Sequence, residues 1–112
     1  MEDVLHRIRQ FRDERDWKQF HDPKSLAASI AIEAAELLEE FQWKTAEESY
    51  RHAADHREAV SDEIADVAIY LFELADIAGI DVKAAILAKL EKNAAKYPVE
   101  KSRGRSTKYD KL

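Results

Sequence analysis

The chain has 112 residues, 46% hydrophobic and 37% charged, with two glycines, two prolines and no cysteine. This length predicts one domain spanning residues 1–112, and the composition excludes a disordered chain. Without cysteine there are no disulfides and no thiolate metal sites. So little glycine and proline predicts long uninterrupted helices.

The net charge of −5 is unevenly spread: residues 96–111 hold six basic groups against Glu100 and Asp110, a local +4, which leaves about −9 on the rest. An acidic body with a basic tail argues against nonspecific nucleic-acid binding through the body. It fits a site where carboxylates hold a cation and basic groups hold an anion. On charge alone, however, a solvated helical surface with a positive tail is the favoured reading. No apolar run reaches the length of a membrane span. The start, MEDVLHRIRQF, reads as a charged helix and not as a signal peptide. The expected compartment is the cytoplasm.

In chain order, a first helix is predicted over about residues 2–17, from Val4, Leu5, Ile8, Phe11 and Arg12 at helical spacing. Asp22 before Pro23 is an N-cap followed by proline at the first helical position, so a second helix is predicted over 23–43. Its apolar stripe is Leu26, Ile30, Ala34, Leu37 and Phe41. Thr45 and Glu48 form a T-x-x-E capping box, which makes 46–60 either a short helix or the early turns of the third. The third is predicted over 60–78, with Val60, Val67, Leu71 and Leu74 inside and Gly79 as its C′ residue. Asp81 caps a fourth over 82–97, with Val82, Ala85, Ile86, Ala88, Leu90 and Ala94 inward and Pro98 as its stop. Residues 99–112 lack a period and are expected to be irregular. The predicted class is all-α, a four-helix bundle.

The stretch 33-EAAELLEEFQW-43 places Glu33, Glu36 and Glu40 within an arc of about 60° beside the core stripe. Glu63, Asp66 and Tyr70 form a similar arc on the third helix. Packing these helices together would bring four carboxylates into one place, where like charges raise pKa values or push the helices apart. A divalent cation resolves that conflict. Mg²⁺ takes carboxylate oxygens, water and substrate phosphate. Two such pairs weigh about evenly against ordinary solvated glutamates. No E-x-x-H occurs, which sets a di-iron bundle aside. His52 and His56, four apart, read as surface histidines rather than zinc ligands.

Lys89, Asn93 and Lys96 share one face of the last helix, and Arg103 follows. Such a face can clamp a polyphosphate, although basic groups near a helix C-terminus are also favoured by the dipole. Trp17 and Trp43 stand at helix ends, where they either close the core or stack on a base. Tyr70 sits one turn past Asp66 on the acidic arc.

Taken together, E33-A-A-E36, E63-I-A-D66 and K89-x-x-x-N93-x-x-K96-Y97-P98 resemble the MazG-like all-α nucleoside triphosphate pyrophosphatases, and most closely the dCTP pyrophosphatase group. The stretches 14-ERDWKQFHDPKSL-26, 41-FQWK-44, 63-EIADVAIYL-71 and 93-NAAKYPVEKSRG-104 extend the resemblance over nearly the whole chain. The resemblance implies hydrolysis of a nucleoside triphosphate to the monophosphate and pyrophosphate, by in-line attack of water on the α-phosphorus. It implies Mg²⁺, with Mn²⁺ as a possible substitute, held by Glu33, Glu36, Glu63 and Asp66. Glu36 is the choice for the group that orients water, and Glu63 is expected to be indispensable. Lys89, Asn93, Lys96, Tyr97 and Arg103 would contact phosphates or sugar with Tyr70 nearby, and Trp17 and Trp43 would flank the base. A homodimer or homotetramer, with sites between subunits, is implied too.

One position departs from the pattern. Ile8 stands where the resemblance implies a histidine in dCTP-preferring members, and His6 is expected on another face. The alternative from a different class is a helical oligomerisation or nucleotide-binding regulatory module without catalysis, which a chelator would leave indifferent.

Overall fold

A computed structural model describes all 112 residues, which fall into two compact units, 1–79 and 80–112. The structure is all-α. Six helices run α1 Glu2–Glu14, α2 Pro23–Glu39, α3 Ala46–Asp55, α4 Arg57–Ile77, α5 Val82–Lys96 and α6 Val99–Ser102, with short 3-10 turns at Lys18–Phe20 and Tyr109–Lys111. The sequence predicted four. The capping box produces α3 as a helix of its own, and part of the supposedly irregular tail forms α6 and the last 3-10 turn. Pro98 explains α6: having no N–H to lose, it is tolerated at a helix start, where it serves as N-cap.

Within residues 1–79, α2 packs along α4, and α1 and α3 also pack against α4. The capping signals act as read. Asp22 accepts the Ser25 backbone N–H at 2.9 Å and the Ser25 hydroxyl at 2.8 Å. Thr45 and Glu48 make the reciprocal pair, at 3.1 and 2.8 Å. Because the Thr45 cap starts a new helix, α2 stops at Glu39 and not at 43. Its end tightens into bonds to the third residue back, such as Phe41 N–H to the Leu38 carbonyl at 2.9 Å.

α1 likewise stops at Glu14. Asp16 adopts φ 54°, a left-handed conformation that Asp tolerates better than most residues. The chain reverses there, and Trp17 N–H returns to the Arg12 carbonyl at 3.0 Å. That turn sets the position of the Trp17 ring. His56 both ends α3 and precedes α4, so α4 begins three residues before the predicted start.

The core is thin. Leu26 at 1%, Val60 and Ile8 are the buried hydrophobic side chains. The predicted inward residues Val67, Leu74, Ile30, Leu37 and Phe41 are half-buried. Leu71 is 46% exposed, and in residues 80–112 Ile86 and Leu90, also expected inside, are more than half exposed. Helical periodicity marks a face that wants cover. A chain this short has too little volume to cover all such faces itself. Arg9 Nε donates to Asp76 at 2.9 Å, joining α1 to α4. No helix is long and apolar enough to cross a membrane.

Candidate active site

The acidic arcs of α2 and α4 meet. Glu33, Glu36 and Glu63 each offer a carboxylate oxygen, and these oxygens lie within 4.8 Å of one another. Glu33 and Glu63 are half-buried and Glu36 is exposed. Glu33 Oε2 and Glu63 Oε2 are shut off from solvent and have no hydrogen-bond partner. Burial, and then the Glu36 carboxylate, push the Glu33 carboxyl up to about 7. Glu63 is raised as well, first by burial and then by the charges of Glu36 and Asp66.

Buried carboxylate oxygens without partners are costly to leave bare. Three hard oxygen donors at this spacing, with no sulfur or imidazole among them, fit a hard divalent cation such as Mg²⁺. The residues present therefore fit the expected metal.

Asp66, predicted as the fourth ligand, stands outside this three-carboxylate group. It lies one helical turn along α4 and is half-buried in the wall of an adjoining cavity. Glu40, predicted on the same arc as Glu33, lies 3.3 Å from His52 Nε2. His52 in turn stacks on His56 with ring centroids 4.3 Å apart, so these histidines are occupied with each other and with Glu40.

The cavity has a volume of about 930 Å³, and its wall includes Ile8, Phe11, Trp17, His21, Tyr70 and Glu73. The size suits a nucleobase and sugar. Its aromatic wall is continuous: Phe11 to Trp17 at 5.8 Å, Trp17 to His21 at 6.4 Å and His21 to Tyr70 at 6.2 Å between centroids. Trp17, expected beside the base, and Tyr70, expected near the phosphate and sugar contacts, both line this cavity. Tyr70 has its phenol pushed up by burial and then by Glu33. Ile8 lines this cavity, and so does His6, which was expected on another face.

Trp43, the other ring expected beside the base, stands apart from this cavity. It is 88% exposed, beyond the end of α2, and is not in the cavity wall. It lies in the tight turns between α2 and the Thr45 cap, where nothing in residues 1–79 covers it.

Lys89, Asn93 and Lys96 lie on α5, with Tyr97 as its C-cap and Arg103 as the C-cap of α6. Within residues 80–112, Lys96 Nζ stands 4.7 Å from the Tyr109 ring centroid, and Tyr97 meets Tyr109 edge-on at 6.0 Å. Lys89 and Arg103 are exposed, and Asn93 and Tyr97 are half-buried.

Among the cavity residues that the sequence reading did not single out are His21 and Glu73. His21 sits between helices, where no period applies. Glu73 follows Asp66 at i+7 and Tyr70 at i+3 on the same α4 face, a spacing that could have identified it.

The MazG-like family model matches residues 28–112. Over its whole length the chain is 41% identical to dCTP pyrophosphatase 1 of Bos taurus and 40% identical to that of Homo sapiens, covering 68% and 67% of those proteins. Its structure is similar to the crystal structure of a pyrophosphatase from Archaeoglobus fulgidus DSM 4304, with a TM-score of 0.84 and 48% identity over 88% of this chain and 92% of that one. Carrying the acidic arcs, the capping signals and the all-α architecture through to these matches, the chain belongs to the MazG-like family.

Proposed function

We propose that this chain is a Mg²⁺-dependent nucleoside triphosphate pyrophosphohydrolase, which converts a (d)NTP and water to the (d)NMP and pyrophosphate. The observation that carries this is the group Glu33, Glu36 and Glu63 beside an aromatic cavity. The MazG-like match and the pyrophosphatase names of its relatives support it. The substrate we assign is dCTP or a modified pyrimidine deoxynucleotide, and the role is cleansing of the nucleotide pool in the cytoplasm. The resemblance to dCTP pyrophosphatases is the support for that choice.

Glu33 and Glu63 would hold the cation with their buried oxygens, with Glu36 completing the set and Asp66 joining from the next turn of α4. When bound, Mg²⁺ neutralises phosphate charge and polarises the phosphoryl group under attack. Glu36, the exposed member, accepts a hydrogen bond from the attacking water and orients it. As the new P–O bond forms at the α-phosphorus and the α–β bridging bond breaks, the water's proton passes to this carboxylate and then to solvent. Trp17 and Tyr70 flank the base. Lys89, Asn93, Lys96, Tyr97 and Arg103 are assigned to phosphate and sugar. Catalysis is then positioning and charge stabilisation.

The chain acts as one domain over residues 1–112, a MazG-like helical bundle; the family match running through both compact units supports this. It works as a homodimer or homotetramer, for which the exposure of Trp43, Leu38, Ile64, Leu87 and Leu90 is the support. The test is phosphorus NMR of the purified protein with a panel of canonical and modified dNTPs, with Mg²⁺ and with EDTA. Monophosphate and pyrophosphate formed only with Mg²⁺ is the expected result. Orthophosphate and diphosphate, or no turnover at all, would overturn the assignment.

A further inference from the structure

Glu73 and Arg12 are the charged side chains buried in residues 1–79, at 4% and 5% exposure. They stand on helices that pack together, Glu73 on α4 one turn before Asp76, and Arg12 on α1 one turn after Arg9. Arg9 Nε joins the same two helices by donating to Asp76 at 2.9 Å. Arg12 gives its Nε to Asp13 at 2.8 Å, and its permanent charge also acts across the seam on Glu73 and Asp76. Burial pushes the Glu73 carboxyl up, and its basic neighbours His21 and Arg12 oppose the rise. Removing either buried charge would leave the other poorly compensated.

The place of this couple in the chain gives it a use. The Arg12 backbone carbonyl accepts the N–H groups of Trp17, at 3.0 Å, and of Arg15, at 3.3 Å, and so closes the reversal at Asp16. Trp17 enters the cavity wall from that reversal. At the other end of the connection, His21 Nδ1 lies 3.3 Å from Glu73 Oε1. Every residue between these ends, 13–20, is exposed. Apolar burial therefore does not fix the segment that carries Trp17, and Asp16 within it holds an uncommon backbone conformation. The Phe11 and Trp17 rings meet edge-on, and Arg15 lies over Phe11, but neither contact reaches α4. What ties the segment to α4 is its two ends, Arg12 and His21, and Glu73 faces both.

We propose that Glu73 is a positioning residue that, with Arg12, fastens both ends of the exposed segment 13–20 to α4 and so holds Trp17 in the wall of the cavity. This rests on the pyrophosphohydrolase reading above and deepens it. Glu73 acts on the nucleotide through the Trp17 ring. An apolar side chain of similar size would fill the volume at position 73 and leave Arg12 without its counter-charge.

The test is fluorine NMR of the full chain carrying 5-fluorotryptophan, without nucleotide, with Trp17→Phe assigning the two signals. In the wild type the Trp17 signal should respond less to exchange of H2O for D2O than the Trp43 signal, in keeping with 42% against 88% exposure. An equal response of the two rings would overturn the proposal without any variant. In Glu73→Leu the Trp17 signal should move toward the exposed value while the Trp43 signal stays. Arg12→Met should reproduce that change. Glu73→Gln, which keeps the shape and gives up the charge, should show it in smaller degree, and carries the test if Glu73→Leu does not fold. In the folded Glu73 variant, KM for the best (d)NTP should rise severalfold, short of the about tenfold expected for losing a stacked ring, with kcat within about twofold. A purely structural role would lower kcat as the folded fraction falls and leave KM alone, and that result would overturn the proposal. So would an unmoved Trp17 signal. Absence of any turnover in the wild type would sink the enzyme reading and leave the fluorine spectra to judge the fastening of Trp17.

Discussion

Glu33 on α2 and Glu63 on α4 each bury a carboxylate oxygen that has no hydrogen-bond partner, and together with Glu36 they bring their oxygens within 4.8 Å. Two helices that pack closely here place like charges at their seam. That relationship is unfavourable without a cation and useful with one.

Replacing Glu63 with Gln should lower kcat/KM by ~100-fold or more, since even groups that only support metal ligands account for 10–100-fold. The fold should survive, because the change removes repulsion without changing shape. Steady-state kinetics with a melting curve tests both statements. Near-normal turnover in this variant would reject the site as drawn.

The metal-free protein should lose stability as pH rises. Glu33 holds its proton up to about 7 when folded, against an ordinary value of 4.5. The folded state therefore binds more protons than the unfolded one in that window, and stability falls from about pH 4.5 to about 7. Glu63, shifted in the same direction, adds to the trend. Melting curves across this range check the sign. Millimolar Mg²⁺ should restore the lost stability at the alkaline end, where the carboxylates are ionised and free to bind it.

Trp17→Ala should raise KM for the preferred nucleotide by about tenfold, consistent with the ~1–3 kcal/mol per base measured for aromatic stacking. Trp43→Ala should leave the melting temperature of residues 1–79 almost unchanged, since the ring is 88% exposed. If Trp43 also contributes to KM, the effect should vanish on dilution to monomer. Kinetics over a range of protein concentration reads this.

Leu26→Ala should be the most damaging single truncation in the core, at about 2–5 kcal/mol, because Leu26 is 1% exposed in a core with few other buried apolar side chains. Asp22→Ala, which removes the cap of the same helix, should cost about 1 kcal/mol. Urea denaturation separates the two.

The local signals are fully legible in the chain: Asp22-Pro23, the Thr45–Glu48 box, Gly79 with φ 71° and Asp81 all mark the boundaries they predict. These are contacts within four residues, so sequence neighbours determine them. The two acidic arcs are legible for the same reason, since helical spacing alone puts Glu33 beside Glu36 and Glu63 beside Asp66. Three features depended on tertiary structure. Which carboxylates come within 4.8 Å of one another, Glu33, Glu36 and Glu63 but not Asp66, is set by the packing of α2 along α4. Trp17 enters the cavity and Trp43 does not, because the Asp16 reversal and the turns after α2 aim two similar rings differently. His21 meets Glu73, 52 positions later in the chain, only once α4 has packed beneath the loop. Periodicity reports which face of a helix is apolar. Which groups come into contact across the seam is decided by how the helices dock, and no spacing within one helix encodes that.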